Sequence, residues 1–448
     1  MKRNGSKIGS LPGSICLAAL LVSSSAFASA PKEQKLYNFR GSDGSYPDAA
    51  MIADKAGNLY GTTNTGGTGA CSQNGVSGCG TVFELSPPAR KGGSWTETVL
   101  YSFQGGNDGA YPNAGLIVDN AGNLYGVTSQ GGNGNCSNID LNGCGVAFEL
   151  SPSGGAWTET VLYRFKGNRE GKGEGDFAAP SGVAFSKSGD LYGIAYDGGW
   201  CFTNNETGTF CDGGAFELKK SRGGAWSEKI LYRFEGKDES NRPEGALLDA
   251  AGNLYGTNLD GGAFDCGSVL VFAPPQSGKG AWTESSLYDF QCGTDGAFPL
   301  PGIVFDANGN LYGVSIGTGY EYGNVYELTP NDSGGWTESV LHNFEQSADG
   351  ITPTVGPIIG GDGSLYGTTQ QGGDNNKGVV FSLVPQNGGW SESVLYSFPG
   401  GRDGAAPYGG LVFGKGNALY GTTSFGGSMN CANGQKNGCG TVFRVTGP

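Results

Sequence analysis

The chain has 448 residues, of which 86 are glycine and 20 are proline, and only 15% are charged. So low a charged fraction excludes coiled coils and polyelectrolyte tails, and a single histidine, His342, excludes histidine-rich metal sites and disfavours Ser/His or Cys/His catalysis. A formal net charge of −14 disfavours nucleic acid and anionic lipid as partners.

The chain opens on a processing signal. Lys2, Arg3 and Lys7 precede an apolar run from Ile15 to Val22, and Ala26-Phe27-Ala28 supplies a small-x-small cleavage site. Residues 1–28 are expected to be removed on export, leaving 29–34 as a short leader and 35–448 as a single domain. Cys16 lies at the start of the apolar run, which argues against a lipoprotein. The run is too short to span a bilayer, and no later stretch approaches the ~20 apolar residues a membrane helix needs. The expected address is periplasmic, secreted or cell-surface.

From there the sequence repeats itself. Leu-Tyr-Gly ends at Gly61, Gly126, Gly193, Gly256, Gly313, Gly367 and Gly421, at spacings of 65, 67, 63, 57, 54 and 54 residues. Around each copy stand four short runs, here A to D. In the second copy they are Leu116-Ile117-Val118-Asp119, Asn123 to Thr128, Val146 to Leu150, and Trp157 to Phe165. Each is bounded by Gly, Asn or Asp, which is the pattern of strands, and no window shows a helical period. A is apolar at consecutive positions, as in Val304-Phe305, and is expected to be buried on both faces. C and D alternate and suit outer positions. Asp306-Ala307-Asn308-Gly309-Asn310 and its equivalents read as A–B hairpins.

A four-stranded sheet repeated seven times leaves only short, protected edges if the units close radially. The seventh C run, Thr441 to Val445, has no D run after it, whereas Leu36-Tyr37-Asn38-Phe39 near the N-terminus carries the Leu-Tyr-x-Phe of D. The prediction is an all-β, seven-bladed propeller closed by strand 35–39 pairing with strand 440–445.

Ten cysteines remain after processing, an even number that suits an oxidising compartment. Cys71/Cys79, Cys136/Cys144, Cys201/Cys211 and Cys431/Cys439 each bracket a B–C loop, and Cys266/Cys292 pair by elimination.

The recurring Gly-Asn-Leu-Tyr-Gly-Thr-Thr … Gly-Gly … Gly-Thr-Val-Phe-Glu-Leu text resembles the GloVer tandem repeat (choice-of-anchor repeat) of exported bacterial proteins. The resemblance covers essentially the whole mature chain. It implies a secreted or surface repeat protein of unassigned biochemical function, with no catalytic residues to carry over. Members often carry a C-terminal sorting anchor. This chain stops just after its last C run, which favours release or periplasmic retention.

Antiparallel alternation puts B–C and D–A loops at one end of the blades, the expected ligand face. The D–A loops carry Asp four residues before Pro: Asp43, Asp108, Asp176, Asp295, Asp349 and Asp403, with Asp238 five before Pro243. Converging carboxylates could hold a divalent cation such as calcium, or a polyhydroxylated ligand; the same residues also read as turn formers preceding strand A. No other cofactor is indicated. The repeated Leu-Tyr-Gly tyrosines and Trp-Thr/Ser-Glu tryptophans read as structural, although each could also stack a sugar. Trp200, beside Cys201 and outside the repeat, is the candidate contact residue. His342 replaces the tyrosine of other D runs. Three functions fit. They are a non-catalytic exported scaffold binding glycan, peptide or surface protein, a propeller hydrolase, lyase or lactonase using carboxylates, and a structural envelope or matrix component. Near-equivalence of the repeats favours the first.

Overall fold

The computed structural model describes Met1 and residues 31–447, apart from 74, 135, 137–141, 168–175, 205–207, 235–240, 318–321, 345–347, 429–430, 433 and 435. Residues 2–30, which include the expected signal segment, lie outside the described part.

Seven antiparallel sheets follow one another around a ring. Blade two is typical: A is Ile117–Val118, B is Leu124–Thr128, C is Val146–Ser153 and D is Ala156–Arg164, paired in that order. Blade six carries a second inner strand, Ile351–Pro353, beside Ile358–Ile359. Among the described residues, helix is limited to single 3-10 turns such as Gly106–Asp108.

The ring closes as expected. Strand Lys32–Asn38 pairs with Thr441–Thr446, from Lys32 opposite Thr446 to Asn38 opposite Thr441. It begins at Lys32, inside the segment expected to be leader, because the C strand beside it runs on to Thr446 and gives Lys32 to Gln34 partners.

B and C supply the core. Leu124–Thr128 is buried at every position, and Phe148 and Leu150 are fully buried. The inner strands depart from the expectation of two-sided burial. Val304–Phe305 and Ile117–Val118 are only two residues long and half-buried or exposed. Near the axis little space remains, and small residues of neighbouring blades meet there: a side chain at Gly115 would lie 3.2 Å from the Ala50 carbonyl, and one at Gly302 would lie 2.7 Å from Val355.

Aromatic contacts of two kinds lock neighbouring blades, the first at every seam and the second at four. At the other three the Leu-Tyr-Gly tyrosine packs on the next blade's A-strand phenylalanine: Tyr125 on Phe185, Tyr255 on Phe305 and Tyr366 on Phe413. The D-strand phenylalanine meets a C-strand ring edge-on: Phe39 on Phe83, Phe103 on Phe148 and Phe398 on Phe443, with centroids 5.0–5.2 Å apart. That C-strand ring also lies over the glycine of Leu-Tyr-Gly. An added Cβ at Gly126 would come 2.6 Å from Phe148 Cζ, so the repeat tolerates no side chain there. The second contact joins the D-strand tryptophan to the preceding blade's Leu-Tyr-Gly tyrosine, as in Trp157 on Tyr60 and Trp95 on Tyr420. Offset and edge-on pairs of this kind add ~0.5–1.5 kcal/mol each beyond the area they bury.

Disulfides join Cys71–Cys79, Cys136–Cys144, Cys266–Cys292 and Cys431–Cys439. Cys201 stands opposite Cys211 in the blade-three ladder, and Cys211 is disulfide-bonded. No described helix is long and apolar enough to cross a membrane.

Candidate functional site: the loop face and the mouth of the axis

B–C and D–A loops share one face and touch. Ser45 bridges to Thr65, Ala110 to Gln130 and Ala405 to Phe425, each pair joining the D–A loop that enters a blade to the start of its B–C loop. The residue before each loop proline takes a left-handed conformation in six blades: Tyr46, Tyr111, Ala179, Phe298, Thr352 and Ala406, with φ between 48° and 58°. Its N–H donates to a carbonyl of the preceding blade, as from Tyr111 to Cys79 at 2.8 Å and from Ala406 to Lys377 at 2.9 Å. Backbone conformations of this kind persist only where the surroundings dictate them, and here the neighbouring blade does so.

The loop aspartates sit one per seam between blades. Tyr37 donates its hydroxyl to Asp43 at 2.6 Å, Tyr101 to Asp108 at 2.8 Å, Tyr163 to Asp176 at 2.8 Å, and Tyr288 to Asp295 at 2.9 Å. Asp349 takes His342 Nε2 at 3.3 Å, and Asp403 takes Lys35 Nζ at 3.4 Å. Backbone N–H groups of Arg40, Gln104, Lys166 and Gln291 donate to the first four aspartates as well. Asp238 lies outside the described residues. Among those described, no three His, Cys, Asp or Glu side chains gather as a metal site. The aspartates are thus distributed around the seams and occupied by local donors.

Six of the seams hold a third group that the sequence reading passed over, the glutamate of the next blade's D strand. Glu97 Oε2 lies 3.4 Å from the Tyr37 hydroxyl, and Glu228 Oε2 lies 3.4 Å from that of Tyr163. In Glu33, Glu97, Glu159, Glu228, Glu338 and Glu392 the other oxygen, Oε1, is buried without a hydrogen-bond partner. Burial first, and then the charge of the seam aspartate, pushes these carboxyls up. Glu97, Glu159, Glu338 and Glu392 reach about 7, as does Glu33, and Glu228 reaches about 9. The column was visible as Trp-Thr/Ser-Glu. Its contact with the preceding blade's tyrosine needed the ring.

What differs from blade to blade gathers at the loop-face end of the axis. The residue following each loop proline is Asp48, Asn113, Ser181, Glu244, Leu300, Thr354 or Tyr408. Asp48 accepts a hydrogen bond from Ser424 at 2.6 Å, and burial raises its carboxyl to about 6 despite that bond. Glu244 is raised by burial to about 7, opposed by Arg242. Burial raises the Tyr408 hydroxyl, and the charges of Asp48 and Glu244 both add to that effect. Arg242 pairs with Asp260 at 3.4 Å and lies over the Tyr196 ring at 5.6 Å. Asp197 beside it is raised by burial to about 6. Carboxyls poised so close to neutrality can exchange a proton or bond a hydroxyl. Comparing the post-proline residue across the seven copies would have exposed Asp48, Glu244 and Tyr408 in the sequence. Trp200 falls in the blade-three ladder opposite Asp212, and its side chain lies outside the described part.

Seven sheets, a closed ring and one elaborated loop face define a β-propeller built from tandem repeats. A profile of the Gloeobacter/Verrucomicrobia repeat matches residues 25–201 and 196–434, and the chain belongs to that family. No curated protein sequence matches it. Solved structures similar in shape include the periplasmic gluconolactonase PpgL of Pseudomonas aeruginosa, 16% identical over 84% of this chain and 98% of that one, with TM-score 0.46. A protein of unknown function from Dyadobacter fermentans is 15% identical over 81% and 98%, with TM-score 0.41. A luciferin-regenerating enzyme is 17% identical over 74% and 90%, with TM-score 0.42.

Proposed function

We propose that the protein is an exported, non-catalytic scaffold that binds an extracellular glycan, peptide or surface protein through the face formed by its B–C and D–A loops. One observation carries this reading. The polar groups repeated in every blade are used up holding neighbouring blades together, and the polar groups that vary lie together on the loop face. A rigid ring presenting a non-repeating patch is a recognition surface. Export fits the arginine- and lysine-led apolar N-terminus and the disulfide-bracketed loops.

The second reading, a carboxylate-based hydrolase or lactonase, draws on one specific feature: Asp48 and Glu244, both raised toward neutrality, act on the same Tyr408. A glycan array run beside an unbiased hydrolase, lyase and lactonase screen separates the two. Binding without turnover is expected. Turnover abolished in Glu244→Gln would replace the scaffold reading with the enzymatic one.

A further inference from the structure

Blades six and seven meet on the loop face through a combination of three residues found at no other seam. The position just before the Gly-Gly pair of the B–C loop is Thr65, Gln130, Asp197, Asp260 or Gln371 elsewhere, but Phe425 in blade seven. The position before the loop proline is Tyr46, Tyr111 or Phe298 at three other seams and Ala179, Arg242 or Thr352 at the remaining ones, and is Ala406 here. Cys79, Cys144 and Cys439 precede strand C in blades one, two and seven, where blade six has Lys377.

The three border an open cavity of about 500 Å³ between the two blades. Phe425 forms one wall. Its backbone is fixed by reciprocal hydrogen bonds with Ala405 at 3.0 and 3.1 Å, and its ring packs edge-on against Tyr46 with centroids 5.4 Å apart. It remains half-buried instead of joining the fully buried seam phenylalanines. Gln370, Gln371, Asn376, Lys377 and Asn437 also line the cavity, the Asn376 amide oxygen accepting from the Gly372 N–H at 2.8 Å. Lys377 lays its stem across Gly400, its Cγ 3.1 Å from where a Cβ would be. Among the described residues no carboxylate lines the cavity.

An aromatic wall facing several amides is the complement of a sugar ring, which has an apolar C–H face and a belt of hydroxyls that both donate and accept. The volume lies in the range of small-ligand sites. The net charge of −14 repels a polyanion at a distance, so uncharged sugars are favoured over uronates. We propose that this cavity is a subsite for one or two pyranose rings of a neutral polysaccharide, stacked on Phe425 and bonded through Gln370, Gln371, Asn376 and Lys377. The proposal rests on the reading of the loop face as the ligand face and gives it a ligand class and a location.

The test uses the mature protein, saturation-transfer NMR and calorimetry, with neutral hexasaccharides (β-glucan, mannan, xylan, galactan) and uronate hexasaccharides as probes. Phe425→Gln installs the residue type that blades two and six hold at this position. Ala406→Tyr installs that of the entrances to blades one and two, at the same positive φ. Both variants should therefore fold, which their melting temperatures check. At least one neutral probe should bind the native protein and lose at least about tenfold in affinity in each variant. No binding of any neutral probe, or preference for the uronates, overturns the subsite. A neutral probe bound undiminished by both variants but lost in Tyr408→Ala overturns the subsite and keeps the loop-face reading. One that all three variants leave unchanged overturns both.

Discussion

The seam glutamates make the ring's stability depend on pH in an uncommon direction. Glu97 titrates near 7 in the folded protein against an ordinary value of 4.5. Between those values the folded state keeps a proton that the unfolded chain has released, so stability falls as pH rises through this window. A displacement of that size corresponds to about 3 kcal/mol for a fully shielded group. Glu97 is only half-buried, and solvent screening reduces the effect to ~1–2 kcal/mol. Glu97→Gln mimics the protonated acid at every pH and removes the dependence at that one seam. Urea unfolding of native and variant protein at about pH 5 and about pH 8.5 reads it. The variant should be of near-native stability at the lower pH and more stable than native by ~1–2 kcal/mol at the higher. Native and variant midpoints that stay parallel across the two pH values would refute the argument, because they would mean that Glu97 releases its proton in the folded ring as readily as in the unfolded chain.

Other consequences are checked more simply. Gly126→Ala sets a methyl group against the Phe148 ring and should cost ~1–3 kcal/mol by overpacking; Gly389→Ala, likewise without a positive φ and meeting nothing within 4 Å, is the control. Calcium should move the melting temperature by less than about 1 °C, since the seam aspartates already accept tyrosine and backbone donors. A rise of several degrees, reversed by a chelator, would restore the cation reading. Thiol titration of unfolded, unreduced protein lacking residues 1–28 should find less than about one free thiol per chain; two or more would remove a disulfide.

Blade number, strand order and ring closure were legible in the sequence because each blade rewrites the same four strands and the unmatched D run sits at the far end. Local turn chemistry was legible too. Asp119 accepts from the Ala121 and Asn123 backbones just as the hairpin text implies. Radial contacts were not. That Asp108 would meet Tyr101 and approach Glu159, rather than converge on an axis with its equivalents, depends on blade-to-blade twist, which no single repeat encodes. Ala406 likewise looks unremarkable beside its proline. Only the neighbouring Lys377 and Phe425 show that a missing aromatic ring there opens a cavity. The D strand of blade seven was recognised by Leu36 to Phe39 alone, and Glu33 escaped notice because Pro31-Lys32 replaces the Trp-Thr that precedes glutamate elsewhere.

Pairing Lys32–Asn38 with Thr441–Thr446 also sets the order of events during synthesis. The first described strand has no ladder partner until Thr441–Thr446 is made, so blade seven is completed last. Joining such distant strands carries an entropy cost that grows only with the logarithm of the loop, but the delay lasts for the time needed to make the residues between them. Until Thr441–Thr446 is available the ring stays open at one seam, and the seven sheets become one closed object only when that latch engages.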